Sequence, residues 1–189
     1  MSLTSYIDSY LDETCSIAQT IDRKAIAAAV EYLRALKQRG GRLFILGVGG
    51  SAGNASHAVN DFRKIANIET YAPTDNVSEL TAWTNDEGWE VVFKRWLMTS
   101  RLNSQDALLV FSVGGGSATT SRNLVLALDY AKQVGAGILG IVSRDGGSTR
   151  SMADVVILVP VVAPERITPH AEGWQGVVWH LLVNGLGDC

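Results

Sequence analysis

The sequence predicts an α/β fold, a doubly wound five-stranded parallel sheet with two N-terminal helices. Short apolar runs that end in glycine alternate with segments of helical periodicity, and the strand–glycine–helix junction occurs twice. With 189 residues, 47% of them hydrophobic and 19% charged, the chain has the size and composition of one globular domain. We therefore treat residues 1–189 as a single domain.

Two helices are predicted ahead of the first strand. Apolar residues recur at near-helical spacing over residues 3–19, and Asp22 is placed to cap a second helix that runs through about Gln38. No strand precedes this pair, so it cannot form a crossover connection. We expect residues 1–40 to pack beside the sheet or against a neighbouring subunit, and hence an oligomer.

The first strand is predicted over residues 42–47 and breaks into a glycine-rich loop. Gly47, Gly49 and Gly50 would let the backbone turn tightly and approach a ligand. Ser51 and the first free N–H groups of the next helix would supply donors at its positive end, where an anion binds. Taken alone, such a loop is as well explained as a simple connection between strand and helix.

A second junction of the same kind strengthens the anion-binding interpretation. The apolar run from residue 106 to 111 leads through Ser112 and three glycines to Ser117, and a helix is predicted over 118–133. Loops at the carboxyl ends of parallel strands can share one crevice. We therefore predict one phosphorylated ligand bound by both loops.

The remaining elements follow from periodicity and turn residues. His57 and Asp61 lie four residues apart on a helix predicted over 51–65, and so share one face. The other predicted elements are an edge strand at 71–73, helices at 76–83 and 87–101 around a polar turn, and strands at 136–142 and 154–159.

A final helix is predicted from Thr168 or His170 to about Leu186. Glu172 and His180 are eight residues apart, about two turns, and share one face of it. We expect His170 to lie at the surface. An apolar stripe is expected to face the core, formed by Trp174, Val177, Val178, Leu181 and Leu182.

These segments together resemble a known family. The loop from Gly47 to His57, the pair Asn85 and Asp86, the loop from Ser112 to Ser117 and His180 are similar to the sugar isomerase (SIS) domain family. Within that family the resemblance is to the phosphoheptose isomerases, which convert sedoheptulose 7-phosphate to a glycero-manno-heptose 7-phosphate. It implies a flavodoxin-like sheet, a role in carbohydrate metabolism and a homotetramer with active sites between subunits.

The resemblance also implies roles for particular residues. His180 matches the catalytic histidine and Asp61 matches the catalytic glutamate, and zinc is implied at the positions of His57, Asp61, Glu172 and His180. Substrate contacts are implied for Gly49, Gly50, Ser51, Asn85, Asp86, Ser112, Gly114, Ser117 and Glu172.

The chain departs from the family pattern at five positions. Val48 stands where the family has asparagine, and Val113 and Gly114 stand where it has hydroxyl residues. Asp61 replaces a glutamate and Glu172 replaces a glutamine. Backbone N–H groups of the second loop can still donate to a phosphate.

The chemistry leaves two mechanisms open. An aldose–ketose isomerisation moves a proton between adjacent carbons through an enediol, which Asp61 and His180 could catalyse as acid and base. Alternatively, two imidazoles and two carboxylates suit zinc, which would polarise the carbonyl. If a metal takes all four groups, no base remains among them.

Other functions are weighed against the enzyme. A non-catalytic SIS sugar-phosphate sensor, or a relative of the bacterial replication-initiator-associating factor, is the alternative. A nucleotide cofactor is not expected, because no acidic residue ends a second strand about 20 residues after the first glycine loop. With 16 basic and 19 acidic residues, a net charge of −3 and no leader or apolar span, we expect a cytoplasmic protein that binds neither nucleic acid nor membrane. Cys15 and Cys189 are taken as incidental.

Overall fold

The computed structural model describes residues 2–187, and Cys189 lies outside them. Five parallel strands form one sheet in the order β2-β1-β3-β4-β5. Their bounds are β1 Leu43–Gly47, β2 Thr70–Tyr71, β3 Ala107–Ser112, β4 Gly137–Val142 and β5 Val155–Leu158. The chain runs outward in one direction from β1 to β2 and in the other from β3 to β5, so the strand order reverses between β1 and β3. The prediction of a doubly wound five-stranded parallel sheet is confirmed.

Eight α-helices accompany the sheet within the described residues. They are α1 Leu3–Thr20, α2 Arg23–Gln38, α3 Gly50–Lys64, α4 Val77–Glu87, α5 Val92–Thr99, α6 Arg122–Val134, α7 Gly147–Met152 and α8 Ile167–Gly185. Short 3-10 turns cover Pro73–Asp75 and Pro164–Arg166. Between residues 2 and 187, no helix has the length and apolar character needed to cross a bilayer.

The two faces of the sheet carry separate cores. Leu43 and Ile45 of β1 point to the layer that contains α2, α3 and α8, whereas Phe44 and Leu46 point to the layer of α5 and α6. This alternation is what a strand with a period of two residues produces when helices cover both of its faces. Burying both faces explains the continuous apolar runs in the sequence.

Several predicted boundaries shift in the structure. Helix α4 continues to Glu87, so Asn85 and Asp86 lie on a helix and not in a polar turn; the chain breaks at Gly88, whose φ is 93°. Helix α5 begins at Val92 instead of residue 87. Helix α6 begins at Arg122, four residues later than predicted, because Ser121 adopts a left-handed conformation with a φ of 51°.

The N-terminal helices pack on the sheet layer that contains α8. Asp22 accepts hydrogen bonds from the N–H groups of Lys24 and Ala25, which confirms it as the cap of α2. Helix α1 buries Ile17 in the core, but its first three turns leave an apolar stripe at the surface. That stripe consists of Leu3, Tyr6, Ile7 and Leu11.

An ion cluster attaches α1 to the start of α8. The Arg166 guanidinium donates to the Glu13 carboxylate from Nε at 2.8 Å and from Nη2 at 2.5 Å. His170 Nε2 lies 2.7 Å from the same carboxylate, and the His170 ring stacks on Tyr10 with centroids 4.6 Å apart. His170 is 4% exposed, so the expectation that it lies at the surface is wrong.

The cluster makes the stability of the fold depend on pH. Hydrogen bonds from Arg166, and next from His170, lower the pKa of Glu13 from 4.5 to about 2. Because the folded state has the lower pKa, this stabilisation is complete above pH 4.5 and is lost as the pH falls towards 2. We expect Glu13→Gln to lower the melting temperature at pH 7.

The difference between wild type and Glu13→Gln should shrink as the pH is lowered from 5 to 2, in thermal melts followed by circular dichroism. The control is Glu31→Gln, which removes an exposed carboxylate paired with Arg34 on α2 and should change the melting temperature much less. A pH-independent gap between wild type and Glu13→Gln would contradict the assignment.

Candidate active site

The two glycine loops meet at the reversal of strand order. β1 and β3 are hydrogen-bonded neighbours, and the loops that follow them line one pocket of about 200 Å³. Val48 and Ser51 come from the first loop and Ser112 to Gly114 from the second, while Thr168 closes the pocket from the start of α8. The carboxyl ends of strands at such a reversal are where open α/β sheets bind ligands.

The first loop delivers the N-terminus of α3 to this pocket. Gly49 has a φ of 64° and the helix begins at Gly50, with no side chain capping it. Ser51 is 2% exposed and lines the pocket. Because the first N–H groups of a helix have no intrahelical acceptor, this end can donate to an anion.

The second loop is held in shape by backbone contacts with α7. Gly115 has a φ of 72°, and a Cβ there would overlap the Gly146 carbonyl. The Gly115 carbonyl accepts a hydrogen bond of 2.7 Å from the Thr149 hydroxyl, and the Gly115 N–H donates to the Ser112 hydroxyl at 3.0 Å. Only glycine satisfies both the positive φ and the close approach.

Ser117 differs from its predicted setting. Its hydroxyl accepts hydrogen bonds from the N–H groups of Thr119 and Thr120, so it stabilises a turn that precedes α6 and does not adjoin the helix itself. Ser117 lines a second cavity of about 440 Å³ that shares Ser112 and Gly114 with the first pocket.

Three of the predicted metal and catalytic residues are brought together. Ligand atoms of His57, Asp61 and His180 all lie within 4.8 Å of one another. Asp61 Oδ2 is 3.6 Å from Nε2 of His180 and 3.9 Å from Nε2 of His57. Asp61 is 8% exposed and its other oxygen accepts from Asn60 at 2.8 Å, whereas both histidines are exposed.

The tautomer of His180 follows from its hydrogen bond. Nδ1 lies 2.7 Å from the Gly176 carbonyl, which can only accept, so Nδ1 carries the proton. In the neutral ring, Nε2 then has a free lone pair on the side of Asp61. The sequence pair His57 and Asp61 thus gains its third partner from a helix more than 100 residues away.

Helices α3 and α8 pack side by side in the same direction, and their contacts form a seam. At one end Gly50 adjoins the Glu172 carboxylate, which occupies the space a Cβ would fill. In the middle the Asn54 amide donates to the Glu172 carbonyl at 2.9 Å and to the Gln175 side chain at 3.0 Å. At the other end the His57 ring packs edge to face against the rings of Trp179 and His180.

The other predicted site residues lie apart from the histidines. The Glu172 carboxylate lies at the N-terminus of α3, outside the group formed by His57, Asp61 and His180. Asn85 and Asp86 are exposed on the last turn of α4, where the Asn85 amide donates to the Asp86 carboxylate at 2.8 Å.

The three converging atoms suit zinc. Four ligands at about 2.0–2.1 Å in a tetrahedron stand about 3.3 Å apart, close to the measured 3.6 and 3.9 Å. The carbonyl bound to His180 Nδ1 is the usual kind of partner that fixes a ligating imidazole. Three protein ligands with an open fourth position are typical of a catalytic zinc site.

Arg144 is a pocket residue that sequence reasoning missed. It lines both cavities, lies two residues after the end of β4 and has a left-handed φ of 53°. A basic residue in the loop that follows a strand neighbouring β3 was the available signal, because that edge of the sheet holds the ligand.

A doubly wound sheet with two glycine loops on one pocket, beside an imidazole–carboxylate group, defines a sugar-isomerase type of α/β protein. Comparisons agree with this class. The family model described as the SIS domain matches residues 5–143. The chain belongs to the SIS-domain family and to its sugar-phosphate isomerase branch.

Individual relatives share about a third of their residues, or fewer, with this chain. The phosphoheptose isomerase of Syntrophotalea carbinolica is 32% identical over 188 residues, covering 94% of this chain and 90% of that protein. The lincomycin biosynthesis protein LmbN of Streptomyces lincolnensis is also 32% identical, over 94% of this chain and 67% of that protein. The structure of phosphoheptose isomerase GmhA from Neisseria gonorrhoeae superimposes with a TM-score of 0.84 at 23% identity, over 98% of both chains.

The second loop provides a stability prediction. Gly115→Ala would force a Cβ into the Gly146 carbonyl at a left-handed φ, and we expect a loss of about 1–3 kcal/mol in the free energy of unfolding. The control Gly114→Ala meets only Arg144 Cδ, at 4.0 Å, and should stay within about 0.5 kcal/mol of wild type. Urea unfolding of both variants measures this, and equal effects would contradict the close approach.

Proposed function

We propose that the chain is a ketose–aldose isomerase that converts sedoheptulose 7-phosphate to D-glycero-D-manno-heptose 7-phosphate through an enediol. The observation that carries the proposal is the α3–α8 seam, which has a pocket for an anion at one end and the group His57, Asp61 and His180 at the other. The names of the relatives support the choice of a seven-carbon sugar.

The length of the seam suits an open-chain sugar phosphate. Gly50 and His57 are seven residues apart on α3, about 10 Å at 1.5 Å per residue. C1 and C2, the reacting carbons, lie at the end of the sugar opposite the phosphate. We therefore place the phosphate at the two glycine loops and the reacting carbons at His180.

The proposed substrate contacts follow from this placement. Backbone N–H groups of Gly50 and Gly114 and the hydroxyls of Ser51 and Ser112 would bind the phosphate, with Gly49 and Ser117 shaping the two loops. Glu172, whose carboxylate adjoins Gly50 at the pocket end of the seam, would accept hydrogen bonds from sugar hydroxyls. For Asn85 and Asp86 a sugar contact is supported only by the family resemblance.

In the proposed mechanism, His180 moves the proton. Its Nε2 lone pair takes a proton from C1 of the ketose while His57 protonates the C2 oxygen, which gives the enediol. The His180 imidazolium then protonates C2 while His57 takes the proton of the C1 hydroxyl, which gives the aldose. The Asp61 carboxylate, 3.6 Å from Nε2, stabilises the imidazolium. His57 would donate to the enediol oxygen on which charge develops.

A metal-assisted form uses the same residues. His57, Asp61 and His180 would hold zinc, which when bound polarises the substrate carbonyl as a Lewis acid. Glu172 would have to leave Gly50 to join as the fourth ligand predicted from the resemblance. In this form the chain positions the substrate by the same phosphate contacts.

The proposed assembly is a homotetramer. An apolar stripe on α1 is exposed, and Val177 and Leu181 of α8 are 49% and 45% exposed, contrary to the expectation that they face the core. Val177 and Leu181 flank His180, so a neighbouring subunit that covered them would close over the site. Light scattering measures the assembly.

A cytoplasmic location stays a prediction.

Turnover is the direct test. Sedoheptulose 7-phosphate is incubated with the protein in deuterium oxide, and NMR follows the aldose and its deuterium content. We expect product labelled at C2, and a loss of about 10²–10⁴-fold in rate for His180→Ala and for Asp61→Asn, because each removes part of the proton-transfer pair.

The control is Asn184→Ala, one turn further along α8, which should keep wild-type turnover. Full turnover in His180→Ala would exclude that residue as the base. Saturable binding of the sugar phosphate by wild type without exchange or product would mean a sugar-phosphate-binding protein without catalysis.

Zinc titration of the metal-free protein distinguishes the acid–base mechanism from the metal-assisted mechanism. If zinc binds, we expect one ion per chain, loss of binding in His57→Ala and retention in Glu172→Gln, because Glu172 lies outside the three-residue group. Calorimetry with zinc alone measures this. Equal loss in both variants would favour four ligands, and full turnover by protein that binds no zinc would favour acid–base catalysis alone.

A further inference from the structure

Five hydroxyl residues line the pocket formed by the two loops, but a carboxylate adjoins it. Val113 and Gly114 offer no hydroxyl, and the Glu172 carboxylate adjoins Gly50 at the N-terminus of α3. A phosphate dianion brought to this end of α3 would meet that carboxylate. Helix N-termini supply only a partial positive charge. A full positive charge at this position would offset the repulsion between the phosphate and that carboxylate.

Arg144 is the basic side chain that lines this pocket. It lines the cavity together with Ser51, Ser112 and Thr168, and it lines the larger adjoining cavity as well. The position of a Cβ on Gly114 would be 4.0 Å from Arg144 Cδ, so the aliphatic part of the arginine passes over the residue that lacks a side chain. The Arg144 side chain thus runs beside the second loop at a position that has no hydroxyl.

The guanidinium of Arg144 has no protein partner among the described residues. Within residues 2–187, it makes no ion pair and no side-chain hydrogen bond, whereas Arg42, Arg95, Arg122 and Arg166 each pair with a carboxylate. The adjacent Asp145 accepts a hydrogen bond from the Gly147 N–H at 3.1 Å and makes no ion pair with Arg144. The left-handed φ of 53° at Arg144 is uncommon for a residue with a side chain, and such strain concentrates at ligand-binding positions.

We propose that Arg144 binds the phosphate of the substrate and supplies the charge that replaces the missing hydroxyls at positions 113 and 114. This inference rests on the proposed function for the identity of the sugar, but the anion-binding role stands on the pocket itself. A guanidinium can donate two parallel hydrogen bonds to phosphate oxygens, which an ammonium cannot. Arg144 is thus a substrate-binding residue and takes no part in the proton transfer.

The test compares three variants. Arg144→Gln removes the charge, Arg144→Lys keeps the charge without the fork, and Arg150→Gln removes a charge from α7 outside the pocket. For sedoheptulose 7-phosphate we expect KM to rise roughly 10- to 100-fold in Arg144→Gln with kcat changed less than about threefold, partial rescue in Arg144→Lys, and no change in Arg150→Gln. With sedoheptulose, which lacks the phosphate, kcat/KM should be the same in all four proteins.

Binding measurements test the role of Arg144 whether or not the protein catalyses the proposed reaction. If wild type gives no turnover, calorimetry with sedoheptulose 7-phosphate and with inorganic phosphate still compares the same variants, and loss of affinity in Arg144→Gln alone supports the assignment. Equal affinity in Arg144→Gln and wild type, equal loss in Arg150→Gln, or a wild type that binds neither compound would overturn it. A loss in Arg144→Gln that is as large for unphosphorylated sedoheptulose would also overturn it.

Discussion

The parallel packing of α3 against α8 is the constraint on which the rest of the site depends. Both helices begin at the carboxyl edge of the sheet, so their N-terminal ends adjoin the same pocket, where Ser51 and Thr168 are both found. Asn54 fixes their relative height by donating to two groups on α8. With that height fixed, Asp61 comes level with His180. A slip of one turn along either helix, about 5.4 Å, would separate these two residues.

The sheet order makes this packing possible. Because β1 and β3 are parallel neighbours at the point where the strand order reverses, the loops after these two strands meet even though about 65 residues separate them. Gly115 then allows the second loop to approach the start of α7 more closely than a residue with a Cβ could. The backbone geometry therefore forms the crevice, and the side chains of the site line it.

Local signals predicted much of this arrangement, and distant contacts account for most of what they missed. Continuous apolar runs located most of the strands, and the spacing of four residues put His57 and Asp61 on one face. His170 was misplaced because its partner Glu13 lies 157 residues away. The start of α6 was misplaced because nothing in the sequence around Ser121 indicates a left-handed conformation. Val177 and Leu181 matched the apolar spacing of the final helix, yet they lie on the side of α8 that the sheet does not cover.

The departures from the family pattern make physical sense when they are taken together. A glutamate at position 172 brings a full negative charge to the positive end of α3, where the helix dipole stabilises it. The same charge would weaken phosphate binding by that helix end. The absence of a side chain at Gly114 leaves the surface over which Arg144 extends. The proposed site therefore adds a carboxylate and a guanidinium to the hydroxyls of Ser51, Ser112 and Thr168. Since Arg144 is exposed, its attraction for phosphate is screened by salt, and a site built in this way responds to ionic strength more than one built from neutral hydroxyls.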